Sequence, residues 1–347
     1  MPPLPDDADA APRAPARSGR RRVWVWLGSL AGGAVLLTLA SRRLELIPRS
    51  FEIPRPELLA AAIALHVPYA LTRAGRLRYA LDPLVQAASG GARSRLPPTL
   101  LYGSGLFSFL VIMLLPLRLG ELSRPLLLAR AEVPGVGLAE AISAVGTERV
   151  VDGLTVVGLL FLGIALAAPS STAELAEVQR FGHWTAGIFG VALAGVISVA
   201  VAPEATISRF GLQGRAAAVL RHVAAAVRPL GRPRQGIPFL LWTVTYWALI
   251  VIQLWLVLGA TGLDLGLAEA AAIVAAIGLS IQLPGGPAQA GSFQVGAAAG
   301  LSLFIDPAAL AGAGSSFSAV MYLIGLGGAL VVALPGVLLL RGHRGAL

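Results

Sequence analysis

The sequence predicts an all-α polytopic membrane protein with about 7-8 transmembrane helices. Three observations lead there. Of its 347 residues 56% are hydrophobic and only 13% charged, where a soluble domain carries about 25% charged residues. Several apolar runs approach or exceed the ~20 residues that cross a bilayer as a helix. These runs are continuous Ala, Leu, Val and Gly, without the in-out alternation of a membrane β-barrel strand.

The chain divides into a Pro/Ala-rich tail over 1–20, read as a disordered cytoplasmic segment, and a single transmembrane domain over 21–347. Arg20, Arg21 and Arg22 precede the first span, Val23 to Ala40. That run is long for a signal-peptide core and lacks an obvious small-residue cleavage site, so it reads as a membrane helix with its N-terminus inside. Glu57 to Leu71 returns, and Arg73, Arg76, Arg78, Arg93 and Arg95 follow as an inside loop would. Pro98 to Leu117 is apolar. Ala139 to Ala168 is a long helix with Glu148, Arg149 and Asp152 in its first half. The loop 169–179 holds two Glu and no Arg, which suits the outside. His183 to Ala202 spans back to Glu204–Gln235, whose six arginines are the strongest inside signal in the chain. Pro238 to Gly259 goes out again. Leu267 to Leu283 and Gly291 to Ile305 flank Pro284-Gly-Gly-Pro287. Ala308 to Leu340 ends at Arg341 and Arg344, placing the C-terminus inside.

This charge pattern conflicts with simple crossing at Pro98–Leu117 and Leu267–Ile305. Both runs break at Pro/Gly-rich polar motifs. Either they are two re-entrant hairpins, as in inverted-repeat carriers, or both span fully and the 118–138 loop lies outside. The hairpins fit the charges better.

Net charge is +9 and all 27 basic residues are Arg. Because they sit mostly between apolar segments, they orient the protein in the membrane and do not point to nucleic acid. The absence of cysteine excludes disulfides and thiol chemistry. The four histidines show no metal-ligand spacing, and His66 reads as a helix–helix hydrogen-bond donor. Trp24, Trp26 and Trp184 suit interfacial anchors. There is no Walker loop, no Ser/His/Asp set and no nucleotide motif.

The densest ionisable chemistry at membrane depth is Arg118, Glu121 and Arg124, then Glu148, Arg149 and Asp152. Charges there face a bundle interior or a wet cavity. Glu121 and Arg124 are three apart, as are Arg149 and Asp152, so each pair can meet on one helical face. Glu148 and Asp152 are a like-charge pair that needs a cation between them, from Arg118, Arg124 or Arg149. The six sum to zero. One reading is a closed ion-pair network stapling the Pro116 hairpin to the long helix. The other shares one guanidinium with a lipid phosphate.

The run LLPLRLGELSRPLLLAR and the later ERVVD resemble the flippase-like transmembrane family, which includes the membrane half of lysylphosphatidylglycerol synthases. Its Pro-x-Arg-x-Gly-Glu-x-x-Arg pattern is met by Pro116, Arg118, Gly120, Glu121 and Arg124, and its Glu-Arg-x-x-Asp by Glu148, Arg149 and Asp152. A second motif, Pro-Gly-x-x-Gly-x-Phe-Glu, is similar to Pro287–Gln294, with Gly291 and Phe293 in place, Ala288 for Gly and Gln294 for Glu. Arg76-Leu77-Arg78-Tyr79 is similar to the family's Arg-Trp element, with Tyr for Trp. The resemblance covers about residues 20 to 340.

The resemblance implies a protein of the cell membrane, with both termini cytoplasmic, that translocates or handles phospholipids or lipid-linked molecules without its own ATPase. Membrane phospholipids with anionic headgroups are the implied partners. Arg118, Gly120, Glu121, Arg124, Glu148, Arg149, Asp152, Pro287, Gly291, Phe293 and Gln294 are the implied lipid-binding residues, with no catalytic residue, cofactor or metal. No soluble synthase domain is present in 1–347, so synthesis of an aminoacyl lipid is not expected of this chain. Two alternatives remain: an accessory subunit of a lipid-modifying membrane enzyme, or an intramembrane enzyme using Glu121, Glu148 and Asp152.

Overall fold

The computed structural model describes residues 17–48, 52–91, 94–167, 169, 172–283 and 285–343, without the side chains of 17–22, 116–118 and 172–174. Residues 1–16 of the expected tail lie outside that description, and 17–20 form the first turn of a helix.

All regular structure among the described residues is helical. In chain order the helices are α1 (Arg17–Ala40), α2 (Pro56–Gly75), α3 (Arg78–Ser89), α4 (Pro98–Leu114), α5 (Ser123–Arg130), α6 (Leu138–Leu166), α7 (Thr172–Val201), α8 (Pro203–Arg209), α9 (Gly214–Val227), α10 (Pro233–Ala260), α11 (Leu267–Ser280), α12 (Ser292–Leu301) and α13 (Pro307–Leu340). Short 3-10 turns at Pro116–Leu122 and Pro287–Gln289 separate α4 from α5 and α11 from α12. Six segments are long and apolar enough to cross a membrane: within α1, across α2 and α3, and within α6, α7, α10 and α13. The shorter apolar helices α4 and α11 bring the count to the upper end of the sequence expectation.

The two breaks have local causes. Pro116 disfavours helical backbone at Leu115, which is extended at φ −88°, ψ 137°, and α4 stops there. At the second break Ala288 and Gln289 hold φ of 57° and 61°, a conformation L residues adopt rarely and at a cost. The expected interruption of the helix between Gly285 and Gly291 is thus present.

Packing reveals a repeat. The order helix, broken hairpin, helix occurs twice: α2, α4/α5, α6 and then α10, α11/α12, α13. α2 packs along α10, α4 along α13 and α11 along α6, while the two 3-10 breaks touch. Each half lends its hairpin to the closing helix of the other. One sequence echo survives at the entries to α6 and α11, where Gly-Leu-Ala-Glu-Ala occurs at 137–141 and 266–270. Both N-cap glycines adopt nearly the same backbone, φ/ψ −87°/−177° and −83°/−177°. Glu140 accepts from the Gly137 N–H at 3.1 Å, and Glu269 folds back over Gly266, so each helix start satisfies its donors the same way.

The main core gathers α2, α10, α11, α12 and α13 around Leu254, Leu258, Ile273, Leu301 and Phe317. A second centres on Leu77, Leu81, Leu100 and Leu128. The outward faces of the long helices stay apolar, with Val35, Ile188, Val191, Val244 and Leu334 exposed. In water such a surface is a liability; against lipid tails it is the normal exterior. Trp24 and Trp184 are exposed too. The stretch from α8 through α9 to the first turn of α10 carries the exposed arginines of Glu204–Gln235, with α9 laid against α6 and α7.

Candidate functional site

The hairpin α4/α5 brings its charges against the first half of α6, and α2 and α10 close the other sides. The cluster has a sealed layer and an open one.

Arg76 is the centre of the sealed layer. It is fully buried at the C-terminal end of α2. Its Nε donates to Glu148 Oε1 at 3.1 Å, its Nη2 to Asp152 Oδ2 at 2.7 Å and its Nη1 to Thr243 Oγ1 at 3.1 Å. The rings of Tyr246 and Phe239 lie 4.7 and 5.4 Å from its guanidinium carbon, giving the cation aromatic faces as well. Arg124 donates to Glu148 Oε2 at 3.3 Å and to the Ala74 carbonyl at 2.6 Å. Tyr246 donates its hydroxyl to Asp152 Oδ1. Burying such charges is tolerable only with close partners: Glu148, 1% exposed, has both oxygens engaged, while Arg124 Nε alone in this layer has no hydrogen-bond partner among the described residues.

The open layer is Arg149, Glu121 and the outer edge of Asp152. Arg149 Nε lies 3.1 Å from Glu121 Oε2, and its Nη1 3.4 Å from Asp152 Oδ2. The Arg149 and Glu121 side chains are 29% and 19% exposed, against 0% for Arg76. All three open-layer residues line a cavity of about 470 Å3, within the range of small-molecule sites.

That cavity joins the two sequence motifs. Glu121, Arg149 and Asp152 are on its wall together with Ala288, Gln289 and Phe293 of the second break. Ile112, Met113, Val156, Ile250, Leu254 and Met321 supply much of the apolar lining. Several polar groups there have no hydrogen-bond partner: both His66 nitrogens, Trp247 Nε1 and Gln253 Oε1. His66 is therefore not the helix–helix donor expected; its ring packs edge-on against Tyr69 and Phe109. Arg73, one turn before Arg76, also lines the cavity. Its guanidinium stands 4.6 Å from the Phe109 ring centre, and it has no acidic partner among the described residues.

Several expected contacts are corrected. Glu121 pairs with Arg149 on the neighbouring helix and not with Arg124, because the 3-10 turn Pro116–Leu122 interrupts the α-helical spacing assumed between them. The cation between Glu148 and Asp152 is Arg76, absent from the expected set. Arg76, Arg124 and Arg149 against Glu121, Glu148 and Asp152 still sum to zero. The side chain of Arg118 lies outside the described residues.

Arg124, Glu148, Gly120, Pro287, Gly291 and Gln294 are not on the cavity wall, and most have a packing task instead. A Cβ on Gly120 would stand 2.4 Å from the Val111 carbonyl oxygen, so glycine lets the break fold onto α4. Gly291 has φ +86°, and a Cβ there would meet the Gly33 carbonyl oxygen at 2.6 Å, so it seats the second break on α1. Gln294 Oε1 accepts from the Gly291 N–H at 2.8 Å, capping α12 with an amide oxygen where the family motif has a carboxylate.

Sequence reasoning missed Arg73, Arg76, Thr243 and Tyr246. Both arginines had signals, Arg76 in its likeness to the family's Arg-Trp element and Arg73 in sitting one turn from it. Nothing marked the two α10 residues.

No curated protein and no solved structure matches the chain. The family model described as lysylphosphatidylglycerol synthase TM region matches residues 25–340. With its sealed and open charge layers set among apolar helices, the chain is an integral membrane protein and belongs to the lysylphosphatidylglycerol synthase transmembrane-region family.

Proposed function

We propose that the chain translocates phospholipids or lipid-linked molecules across the cell membrane without its own ATPase, taking the phosphate-bearing headgroup into the cavity between the two broken hairpins. The observation that carries this is a charge balance. Among the described residues the paired cluster sums to zero, and Arg73 adds one cation on the cavity wall that no described carboxylate engages. An anionic phosphate diester complements that surplus. Arg73 and the open-layer Arg149 are the groups to hold it, since a planar guanidinium meets phosphate oxygens in pairs. The apolar lining suits the first carbons of the acyl chains.

In this reading the hairpins α4/α5 and α11/α12 are re-entrant and enter from opposite sides. The exchanged packing of the two halves supports an inverted repeat of the kind that carriers use. Both termini and the arginine-rich stretch 204–235 are cytoplasmic, and the arginines attract anionic lipid by about 1 kcal/mol each near the surface. A cysteine introduced at Gly214 then escapes an impermeant reagent applied to intact cells; labelling from outside inverts the orientation.

Reconstitution into liposomes with fluorescent phospholipids of different headgroups tests the function. Protein-dependent movement between leaflets, faster for anionic headgroups and reduced by Arg73→Gln, is the expected result. Liposomes that behave as protein-free controls with every headgroup reject it.

A further inference from the structure

A second pocket, of about 310 Å3, lies where α3, the segment before α4 and the first turn of α10 meet. It shares no lining residue with the cavity. Its wall is mainly polar: Arg78 and Asp82 from α3, Arg95 from the segment before α4, Arg234 and Gln235 from α10.

The arginines are gathered by a specific bond. Asp82 Oδ1 accepts from the Leu96 N–H at 3.0 Å, which pins the Arg95-bearing segment to α3. Its other oxygen, Oδ2, lies 3.6 Å from Arg78 Nε. The only acid among the described residues of the wall is thus engaged on both oxygens. Neither Arg95 nor Arg234 has an acidic partner among the described residues. Three guanidiniums therefore face one carboxylate. Arg234 stands in the first turn of the 28-residue α10, whose N-terminal end adds partial positive charge. A second, independent feature is neutral: Gln235 Oε1 is buried and has no hydrogen-bond partner. A buried acceptor without a donor is a cost that a bound hydroxyl would remove.

We propose that this pocket binds a phosphate ester that also carries a hydroxyl group, the phosphate oxygens meeting Arg78, Arg95 and Arg234 and the hydroxyl donating to Gln235. Phosphate fits better than a carboxylate because its oxygens can be shared among three forked donors. The same chemistry is offered by a phospholipid headgroup and by a soluble phosphate. The site stands independently of the lipid-translocation reading.

The full chain, purified in detergent, distinguishes the sources. Calorimetric titration with glycerol 3-phosphate probes the soluble case. Native mass spectrometry after incubation with phosphatidylglycerol or phosphatidylcholine probes the lipid case. The expected result is saturable binding of at least one hydroxyl-bearing probe, phosphatidylglycerol being retained over phosphatidylcholine in the lipid arm. Arg95→Gln and Arg234→Gln each weaken it about tenfold, as loss of a charge-assisted contact does. Both residues are exposed, so the melting temperature is unchanged. Arg221→Gln, which removes a cation elsewhere on the same basic stretch, leaves this binding intact. Failure of both probes to saturate overturns the proposal. So does an equal loss in Arg221→Gln, which reduces the effect to general basic charge.

Discussion

Glu148 and Asp152, one turn apart on α6, share the guanidinium of Arg76 from α2, at 3.1 and 2.7 Å. Two like charges at that spacing repel on an isolated helix. Here the repulsion becomes a socket in which a cation from another helix bridges the two acids. The socket ties the C-terminal end of α2 to α6, and α2 also packs along α10.

Removing that cation leaves two buried carboxylates facing each other. Deleting one partner of a buried pair costs about 3–5 kcal/mol, a large part of the ~5–15 kcal/mol stability of a typical domain. Arg76→Gln is expected to lower the melting temperature in detergent sharply or to abolish monodisperse protein. Arg76→Lys is expected to recover only part, since one ammonium cannot reproduce three separately directed N–H contacts. Size-exclusion profiles and thermal melts of the two variants measure this; a wild-type melt for Arg76→Gln contradicts the assignment.

Gly291→Ala is expected to destabilise the second break. At φ +86° a Cβ is strained, and it would stand 2.6 Å from the Gly33 carbonyl oxygen of α1. Strain at such a position costs of order 1–3 kcal/mol, and the contact with α1 must give as well. The measurable consequence is a lower melting temperature together with faster proteolysis near Pro287. Gly312→Ala, where a Cβ meets nothing, serves as the control and is expected to change neither.

Much of this was legible in the sequence. The membrane class follows from composition, and both breaks follow from proline, because Pro116 and Pro287 limit the helical backbone whatever surrounds them. The pairing of Arg149 with Asp152 follows from its one-turn spacing. What hid was the role of α2. Hydropathy ends that helix at Leu71, before its first arginine, and assigns Arg73 and Arg76 to a loop. The helix continues to Gly75, because buried partners on α6 and α10 make a charged turn tolerable at its end. Such partners are long-range in sequence, 72 and 76 residues from Arg76 for the two acids, and no local pattern announces them. Tyr246 was invisible for the same reason, one aromatic in an apolar run.

Outside the spans, Glu204 on α8 receives two hydrogen bonds from Arg221 on α9, at 2.8 and 2.9 Å. These bonds hold its carboxyl below the ordinary glutamate value, though both side chains are exposed. A carboxyl depressed on folding stabilises above its unfolded value, about 4.3, and that contribution disappears as pH falls through the folded value. The expected outcome is an NMR titration midpoint for Glu204 below the ordinary range, returning to it in Arg221→Gln. Exposure and screening keep the effect on global stability small, so the melting temperature of Arg221→Gln is expected to match wild type near neutral pH.

The two layers of the charge cluster make opposite demands on two arginines, and one pair of substitutions separates them. Arg124 touches Glu148 and the Ala74 carbonyl and is absent from the cavity wall. Arg124→Lys therefore acts on the fold: the shorter set of donors cannot reach both acceptors, and a buried carboxylate oxygen loses its partner. Arg149 lines the cavity and is partly exposed. Arg149→Lys keeps a cation near Glu121 and Asp152, so the fold is expected to survive, while the paired contact to phosphate is lost. A hydrogen bond to a charged group is worth about 1.5–3 kcal/mol, which corresponds to roughly ten- to a hundredfold in affinity or transport rate. Melts in detergent and headgroup-dependent translocation in liposomes are read on both variants. A lower melt for Arg124→Lys with a near-wild-type melt and slowed transport for Arg149→Lys is the expected split. If Arg149→Lys transports normally while its melt falls, the open layer is as structural as the sealed one and the headgroup must sit elsewhere in the cavity.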